Sequence, residues 1–193
     1  MATVIQTKVP NWLDRICAWP VMWYRKKRYG YSFRRIYLDE GLWTIVDVAD
    51  YYRFGCFKWY IDGRDGRFYA IRGKRIGKGN VIKVRLHREI MKADEGVLVD
   101  HGNRDTLDNR RANLRLATYS QNSCNCRRNK TKTSSRFRGV SFHKRDGCWV
   151  ARIQYEGKAK WLGRFNTELE AAKAYDEAAK KCHGEYASLN FPM

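Results

Sequence analysis

The sequence predicts an α+β protein with a small, mostly β N-terminal unit, a central β-hairpin followed by a helix, and a C-terminal three-stranded antiparallel sheet packed on one helix. Three observations predict this class. Short apolar or alternating runs separated by Gly and Asp turns recur between residues 34 and 86 and between 137 and 165. A central apolar run ends in Asp100-His101. A helical pattern that begins with a capping box follows the last run.

The length and composition allow one large domain or two small ones. The chain has 193 residues, 44% of them hydrophobic, and seven Trp, which is enough apolar material for packed cores and excludes wholesale disorder. The distribution of charged residues marks the domain boundaries more clearly than the positions of Pro and Gly do. We expect an N-terminal basic and aromatic segment at 1–33, a β unit with the central hairpin at 34–126, a basic linker at 127–135 and a C-terminal domain at 136–193.

The charge of the chain favours a polyanionic partner. There are 39 Lys and Arg against 20 Asp and Glu, a formal net charge of +19. Membrane-surface and ribosome-associated proteins share this property, but nucleic acid is the commonest partner of so basic a chain. We therefore expect double-stranded DNA as the partner, with no membrane and no obligate protein partner.

Neither a membrane span nor a metal-binding cysteine motif is predicted. The most apolar run, 16–24, is broken by Pro20 and is too short to cross a bilayer. This run lacks a signal-peptide cleavage site, and the basic residues come after it, whereas in a signal peptide they come before the apolar run. We therefore expect a cytoplasmic protein, associated with the nucleoid if a bacterium or phage encodes it. Its six cysteines are then thiols. Cys124 and Cys126 lack the usual Cys-x-x-Cys spacing of zinc ligands, so zinc is disfavoured.

The N-terminal part shows a weaker pattern. Residues 11–28 are compatible with a Trp-bearing amphipathic helix. Four strand-like runs follow at 43–46, 57–61, 67–72 and 81–85, which predicts a mostly β unit.

A basic, acid-free stretch runs from Arg110 to Arg145. Its middle, Arg127 to Ser135, is polar and has no apolar periodicity, so a linker is predicted. Such a segment gains by lying along phosphates and releasing counterions, which ranks DNA contact above a merely solvated loop. The candidate phosphate contacts are Arg127, Arg128, Lys130 and Lys132.

The C-terminal segment predicts three strands and a helix. The extended runs are 137–142, 148–155 and 160–165, separated by turns at 143–147 and 156–158. In the second run, Ala151 and Ile153 alternate with Arg152 and Gln154, which places the two pairs on opposite faces. Thr167 with Glu170 forms a capping box, and Gly184 marks the end of the helix. Four residues recur at helical spacing in this helix, namely Ala171, Tyr175, Ala178 and Cys182, and alanines let a helix lie close to a sheet.

The residues that carry chemistry lie in the central hairpin. A short strand ends at Asp100-His101, a polar loop follows, a second strand runs from Asn113 to Thr118, and the next segment begins a helix containing Asn122. Phosphodiester hydrolysis needs a base to activate water and a cation to neutralise growing charge. A neutral His suits the base, and carboxylate and amide oxygens favour Mg²⁺ or Mn²⁺ over zinc. One such ion needs few protein ligands, because waters and phosphate oxygens complete its shell.

Each of these residues also has an ordinary structural explanation. Alone, an Asp-His pair is more often a hydrogen-bonded turn, Asn113 a loop cap and Asn122 a helix-start residue; only their joint spacing favours chemistry. We interpret Asp105 and the pair at 108–109 as loop formers. His87, on a predicted helix, is more often a structural or phosphate-contacting group.

The motifs resemble two known families. Leu-His-Arg-Glu-Ile-Met at 86–91, Val-Asp-His-Gly-Asn-Arg-Asp-Thr-Leu-Asp-Asn-Arg-Arg-Ala-Asn-Leu-Arg-Leu-Ala-Thr at 99–118 and Ser-Gln-Asn at 120–122 resemble HNH homing endonucleases, in the subgroup with Asn at the third signature position. Phe-Arg-Gly-Val, Trp-Val-Ala-Arg-Ile, Trp-Leu-Gly-Arg-Phe, Ala-Ala-Lys-Ala-Tyr-Asp-Glu-Ala-Ala and Leu-Asn-Phe resemble the APETALA2/ethylene-response-factor (AP2/ERF) DNA-binding domain. The central hairpin and helix would then be a ββα-metal (HNH) nuclease centre.

The first resemblance implies roles for four residues. Asp100 and Asn122 would hold one Mg²⁺ or Mn²⁺, His101 would be the general base, and Asn113 would fix the hairpin loop so that the imidazole is correctly aimed.

The second resemblance implies that the C-terminal sheet docks in the major groove. Arg138, Arg152, Gln154 and Trp161 would face DNA, while Ala151, Ile153 and Leu162 would meet the helix. Where the plant family is rich in Arg on the first two strands, Ser141, Cys148 and Val150 stand here, so the plant recognition sequence does not carry over.

Three functions compete. The first is a metal-dependent, site-selective, homing-type DNA endonuclease whose C-terminal domain holds DNA. The second is a DNA-binding transcriptional regulator with a vestigial nuclease centre, which the competent residues at all four catalytic positions disfavour. An RNA-binding protein ranks last because the aromatic signature expected for RNA recognition is missing.

Overall fold

The computed structural model of the chain describes residues 11–64, 66–77, 79–125 and 134–191. The chain forms two compact units. The first comprises Met1–Ala93 and Asp105–Arg115, and the second comprises Asp94–Arg104 and Leu116–Met193. The predicted α+β class is confirmed.

The first unit opens with helix α1 (Asn11–Tyr29), which confirms the helix predicted at 11–28. The Asp14 carboxylate attaches it to the unit, accepting two hydrogen bonds from Arg34 at 3.0 and 3.1 Å and one from the Tyr52 hydroxyl at 2.9 Å. The Arg34 hydrogen bonds hold the pKa of Asp14 below its ordinary value, so the carboxylate stays charged at neutral pH.

Two short strands and a helix follow. Strand β1 (Arg34–Tyr37) pairs antiparallel with β2 (Trp43–Val46), and helix α2 (Val48–Phe54) comes next. Helix α2 was not predicted from the sequence. Asp47 precedes it but makes no side-chain cap, because its carboxylate accepts the Arg111 N–H at 2.8 Å. An Asp at this position ordinarily marks the start of a helix by capping it, but the Asp47 side chain contacts a residue far away in the sequence instead.

A three-stranded antiparallel sheet completes this part of the chain. Its strands are β3 (Tyr60–Arg64), β4 (Arg67–Ile76) and β5 (Asn80–Arg85), with β4 in the centre. The four strand-like runs of the N-terminal part are confirmed as β2 to β5, although β3 begins three residues later than its run. Helix α3 (Leu86–Met91) buries Leu86, His87 and Ile90, and Arg72 makes a bidentate pair with Glu89.

The central motif has the predicted order of elements. Strands β6 (Leu98–His101) and β7 (Leu114–Ala117) form a two-stranded sheet, and helix α4 (Tyr119–Cys124) follows. Thr118 caps α4 in a reciprocal capping box with Gln121, at 3.3 and 2.8 Å. This cap explains why the helix begins immediately after β7.

The C-terminal sheet consists of β8 (Val140–His143), β9 (Cys148–Tyr155) and β10 (Lys158–Phe165), antiparallel with β9 in the centre. Helix α5 (Glu168–His183) begins after Thr167, whose capping box with Glu170 is complete, and Gly184 follows its last residue. Both end signals were predicted from the sequence.

Small residues let α5 pack closely on this sheet. Ala151 and Ile153 on β9 are buried with Ala171 and Ala179 on α5, and Leu162 packs against the same core. The opposite face of β9 exposes Arg152 and Gln154, as the alternation predicted. Val150 also alternates onto that face but is only 2% exposed, so the face is not uniformly open to solvent.

Candidate functional site

The predicted metal ligand Asp100 and the predicted general base His101 end strand β6. Asp100 and His101 are 6% and 4% exposed. The chain turns immediately afterwards, and the Arg104 N–H donates to the His101 carbonyl at 2.9 Å. Arg104 adopts a left-handed backbone conformation with φ of 64°, unusual for a residue with a side chain. A tight turn therefore holds the pair at the strand end.

Asn125 is the residue that sequence reasoning missed. Its Nδ2 donates to both carboxylate oxygens of Asp100, at 3.0 and 3.1 Å, and to the His101 carbonyl at 2.9 Å. It is buried at the C-cap of α4, with its own N–H directed to the Asn122 carbonyl at 3.2 Å. An Asn just beyond a helix is an ordinary end residue, so the sequence held no signal that separated this role from a cap.

Asn122 lies one turn before Asn125 in helix α4 and is half-buried. Residues three apart lie on the same side of a helix, so Asn122 shares a side with the residue that contacts Asp100. The structure thus brings Asp100, His101 and Asn125 into direct contact and places Asn122 in the helix that Asn125 caps.

Asn113 belongs to the loop between β6 and β7, in the first unit. Its Nδ2 donates to the Asp108 carbonyl at 2.8 Å, and its N–H to the Arg110 carbonyl at 2.9 Å. These bonds close the loop on itself, which is the kind of contact expected of a loop-fixing residue.

Buried hydrogen bonds anchor the same loop to β2. The Asn109 side chain donates to the Thr44 hydroxyl at 2.7 Å, and the Thr44 hydroxyl donates to the Leu107 carbonyl at 2.7 Å. Backbone bonds join Ile45 to Leu107 and Asn109. The interpretation of 108–109 as loop formers was therefore incomplete, because both side chains are buried. Asp105 does act locally, accepting the Leu107 N–H at 3.0 Å.

Two arginines of the acid-free stretch are engaged with carboxylates. Arg110 pairs with Asp108, and Arg111 makes two hydrogen bonds of 2.7 and 2.9 Å with buried Asp50. Their carboxylate partners raise the pKa of both guanidinium groups. These residues hold the loop in place, so the acid-free stretch is not uniformly available to phosphates.

The side chains at the site determine whether a divalent ion could bind there. Within the described residues, no group of three or more His, Cys, Asp and Glu side chains is placed to hold a metal. A Mg²⁺ or Mn²⁺ site needs fewer protein ligands, because water and phosphate oxygens complete its shell. A carboxylate with an amide oxygen is a suitable hard donor set for such an ion. The residues present fit such an ion.

The predicted DNA-facing residues of the C-terminal domain lie on or beside its sheet. Arg152 and Gln154 are exposed on β9, and Trp161 on β10 is 46% exposed with its ring 5.1 Å from the Arg152 guanidinium. Arg138 is half-buried, and the Asn190 side chain contacts its backbone N–H and carbonyl at 2.6 and 3.2 Å. The predicted linker contacts Arg127, Arg128, Lys130 and Lys132 lie outside the described residues.

These features define two kinds of domain: a hairpin-and-helix motif with Asp-His at the strand end, and a three-stranded sheet on one helix. Family models agree with both. The HNH endonuclease model matches residues 92–124, and the AP2 domain model matches residues 135–185. The predicted resemblance is confirmed, and both domains are present in the chain.

The relatives divide in the same way. The chain is 29% identical over 157 residues to "Uncharacterized HNH endonuclease L560" of Acanthamoeba polyphaga mimivirus, a match covering 78% of this chain and 76% of that one. The C-terminal part is 46% identical over 67 residues to "APETALA2-like protein 2" of Oryza sativa subsp. indica, covering 35% of this chain and 15% of the relative.

A second plant relative is "Dehydration-responsive element-binding protein 2A" of Arabidopsis thaliana, 53% identical over 58 residues, covering 29% of this chain and 17% of the relative. The chain thus spans less than a fifth of either plant protein. No solved structure matches the chain. Among the described residues, no helix is both long and apolar enough to cross a membrane.

Proposed function

We propose that this chain is a metal-dependent, site-selective DNA endonuclease of the homing type, with duplex DNA held by the C-terminal sheet. The observation that carries the proposal is the buried Asp100-His101 pair at the end of β6, held by Asn125 inside the region that matches HNH endonucleases. A buried carboxylate requires compensating hydrogen bonds, which Asn125 supplies to Asp100, and the position of the pair at the start of a polar loop supports a role in chemistry.

The residues divide the hydrolysis as follows. His101 accepts a proton from the attacking water, the water oxygen bonds to phosphorus, and the bond from phosphorus to the leaving oxygen breaks. The leaving oxygen then takes a proton from solvent. Asp100 and Asn122 would hold one Mg²⁺ or Mn²⁺, which when bound supplies positive charge against the growing negative charge. Asn113 closes the loop that follows His101.

Cleavage in the presence and absence of a divalent ion tests this function. Purified protein incubated with genomic or plasmid DNA and Mg²⁺ is expected to produce discrete fragments. EDTA should abolish cleavage, and excess Mg²⁺ should restore it. The readout is the fragment pattern on a gel, with His101→Asn protein prepared in parallel to exclude a contaminating nuclease. Activity that survives thorough chelation would contradict the metal-dependent mechanism.

One alternative function has its own support. The C-terminal domain matches AP2, and relatives of that part include a protein named as element-binding, which favours a DNA-binding regulator with an inactive nuclease centre. Tight, sequence-selective DNA binding without cleavage by Mg²⁺, Mn²⁺ or other divalent ions would establish this alternative.

DNA sequence preference is expected to depend on Arg152. Arg152→Ala should weaken binding to the preferred site by about 1–3 kcal/mol and relax selectivity at particular base pairs. Lys132→Ala is the matched control, since removal of a phosphate contact should weaken binding to all sequences alike and lower the salt slope by about one. Selection from a random duplex library and titration at two salt concentrations measure both effects. Unchanged selectivity in Arg152→Ala would remove this residue from the base-reading surface.

A further inference from the structure

A continuous series of hydrogen bonds runs from the candidate metal ligand to the last residues of the C-terminal domain. Asn125 donates to Asp100 through Nδ2 and accepts from Arg104 Nε through Oδ1 at 3.2 Å. The other end of the same guanidinium donates to the Ser188 hydroxyl. All four residues lie in the second compact unit.

The chemistry of the partners determines how the Asn125 amide is oriented. A guanidinium only donates, and an ionised carboxylate only accepts. The amide must therefore direct its oxygen to Arg104 and its nitrogen to Asp100. The reversed amide would place its N–H groups against the guanidinium donors and its oxygen against the carboxylate oxygens. Arg104 thus orients the group that holds Asp100, and Asp100 and Ser188 become ends of one polar network.

The segment that follows α5, residues 186–191, contacts the central hairpin at a second point. The Tyr186 hydroxyl donates to the Leu116 carbonyl on β7 at 2.6 Å, and both Tyr186 and Ser188 are buried. The segment is itself held on α5, because buried Asp176 accepts the N–H groups of Asn190 and Phe191, each at 2.8 Å. It is therefore a fixed part of the C-terminal domain.

We propose that Asn125 is a positioning residue for the Asp100-His101 pair, and that Ser188 of the C-terminal domain keeps it in place through Arg104. The DNA-binding domain then completes the nuclease centre as well as holding the substrate. This inference rests on the proposed nuclease function. Groups that orient a metal ligand typically affect metal affinity or activity by about 10–100-fold.

The test measures Mn²⁺ affinity without DNA, by electron paramagnetic resonance of the free ion, and separately the cleavage rate and the DNA dissociation constant. Asn125→Ala should weaken Mn²⁺ binding by about tenfold or more and slow cleavage, with DNA affinity unchanged. Ser188→Ala should also weaken Mn²⁺ binding and slow cleavage, by a smaller factor. It is the cleaner variant of the network, because it leaves the net charge near the ion unchanged, whereas removal of Arg104 would not.

Ser123→Ala is the matched control, since Ser123 is exposed on the same helix as Asn122 and is outside the network.

The decisive comparison is the double variant. Once Asn125→Ala has interrupted the network, Ser188→Ala should cause no further loss, and this non-additivity distinguishes coupling from two independent structural effects.

Additive losses, or Mn²⁺ affinity within about twofold of wild type in a folded Asn125→Ala protein, would overturn the positioning role. If that variant does not fold, unchanged Mn²⁺ affinity in Ser188→Ala has the same consequence. A wild-type protein that neither binds Mn²⁺ nor cleaves DNA would overturn the proposed function and this inference together. Normal wild-type activity with unaffected variants would overturn the inference alone.

Discussion

His101→Ala is expected to reduce DNA cleavage by about 10²–10⁴-fold, which is the usual contribution of a general base. DNA affinity should stay close to that of the wild type, because the predicted DNA-facing residues lie in the C-terminal domain and in the predicted basic linker. His101→Asn should behave in the same way. It keeps more of the side-chain volume at this buried position, so a loss shared by both variants reports chemistry and not a cavity.

Single-turnover cleavage rates and DNA dissociation constants measure the two effects separately. His183→Ala is a suitable control, since it removes an imidazole at the end of α5, outside the proposed catalytic set. Burial lowers the pKa of His183, so its neutral form prevails at pH 7 and its removal leaves the net charge unchanged. Equal cleavage by His101→Ala and wild-type protein would make the assignment of the base wrong.

Gly139→Ala is expected to unfold the C-terminal domain and abolish its DNA binding. Gly139 has φ of 71°, and a Cβ there would overlap the Tyr175 ring and lie 2.5 Å from the Arg152 carbonyl oxygen. The left-handed backbone costs about 1–2 kcal/mol with a side chain, and forced overpacking adds about 1–3 kcal/mol. Together these approach the whole stability of a small domain, about 5 kcal/mol.

Gly147→Ala separates the two contributions. Gly147 lies in the same domain with φ of 64°, but an added methyl group there would have no heavy atom within 4 Å. This variant should lose only the backbone contribution, about 1–2 kcal/mol, and keep DNA binding. Thermal unfolding and duplex titration of the full chain give both results. Similar stability in the two variants would show that the close approach of the Gly139 backbone to Tyr175 on α5 is relaxed at little cost.

Much of the architecture was predictable because its determinants are local. The capping boxes at Thr118 and Thr167, the Gly184 end signal and the alternation along β9 each act over a few residues. The order of β6, β7 and α4 was predictable for the same reason. Helix α2 and strand β1 were not, since neither carries a local signal strong enough to stand out, and Asp47 is engaged elsewhere.

The same distinction between local and long-range determinants applies to the site. The order of residues alone was enough to establish the residue types of the centre and their elements: Asp100 and His101 at a strand end, Asn122 in the next helix, and basic and aromatic residues on the C-terminal sheet. Whether Asp100, His101, Asn113 and Asn122 have their proposed roles stays a prediction.

Folding alone determines which of the remaining polar residues support that centre. Asn109 meets Thr44 across 65 positions, and Arg104 meets Ser188 across 84. Arg111, which lies in the acid-free basic stretch, pairs with Asp50. These partners could not be predicted because a hydrogen bond or ion pair depends on proximity after folding. A polar side chain is the same in the sequence whether its partner is solvent, a phosphate or a buried carboxylate.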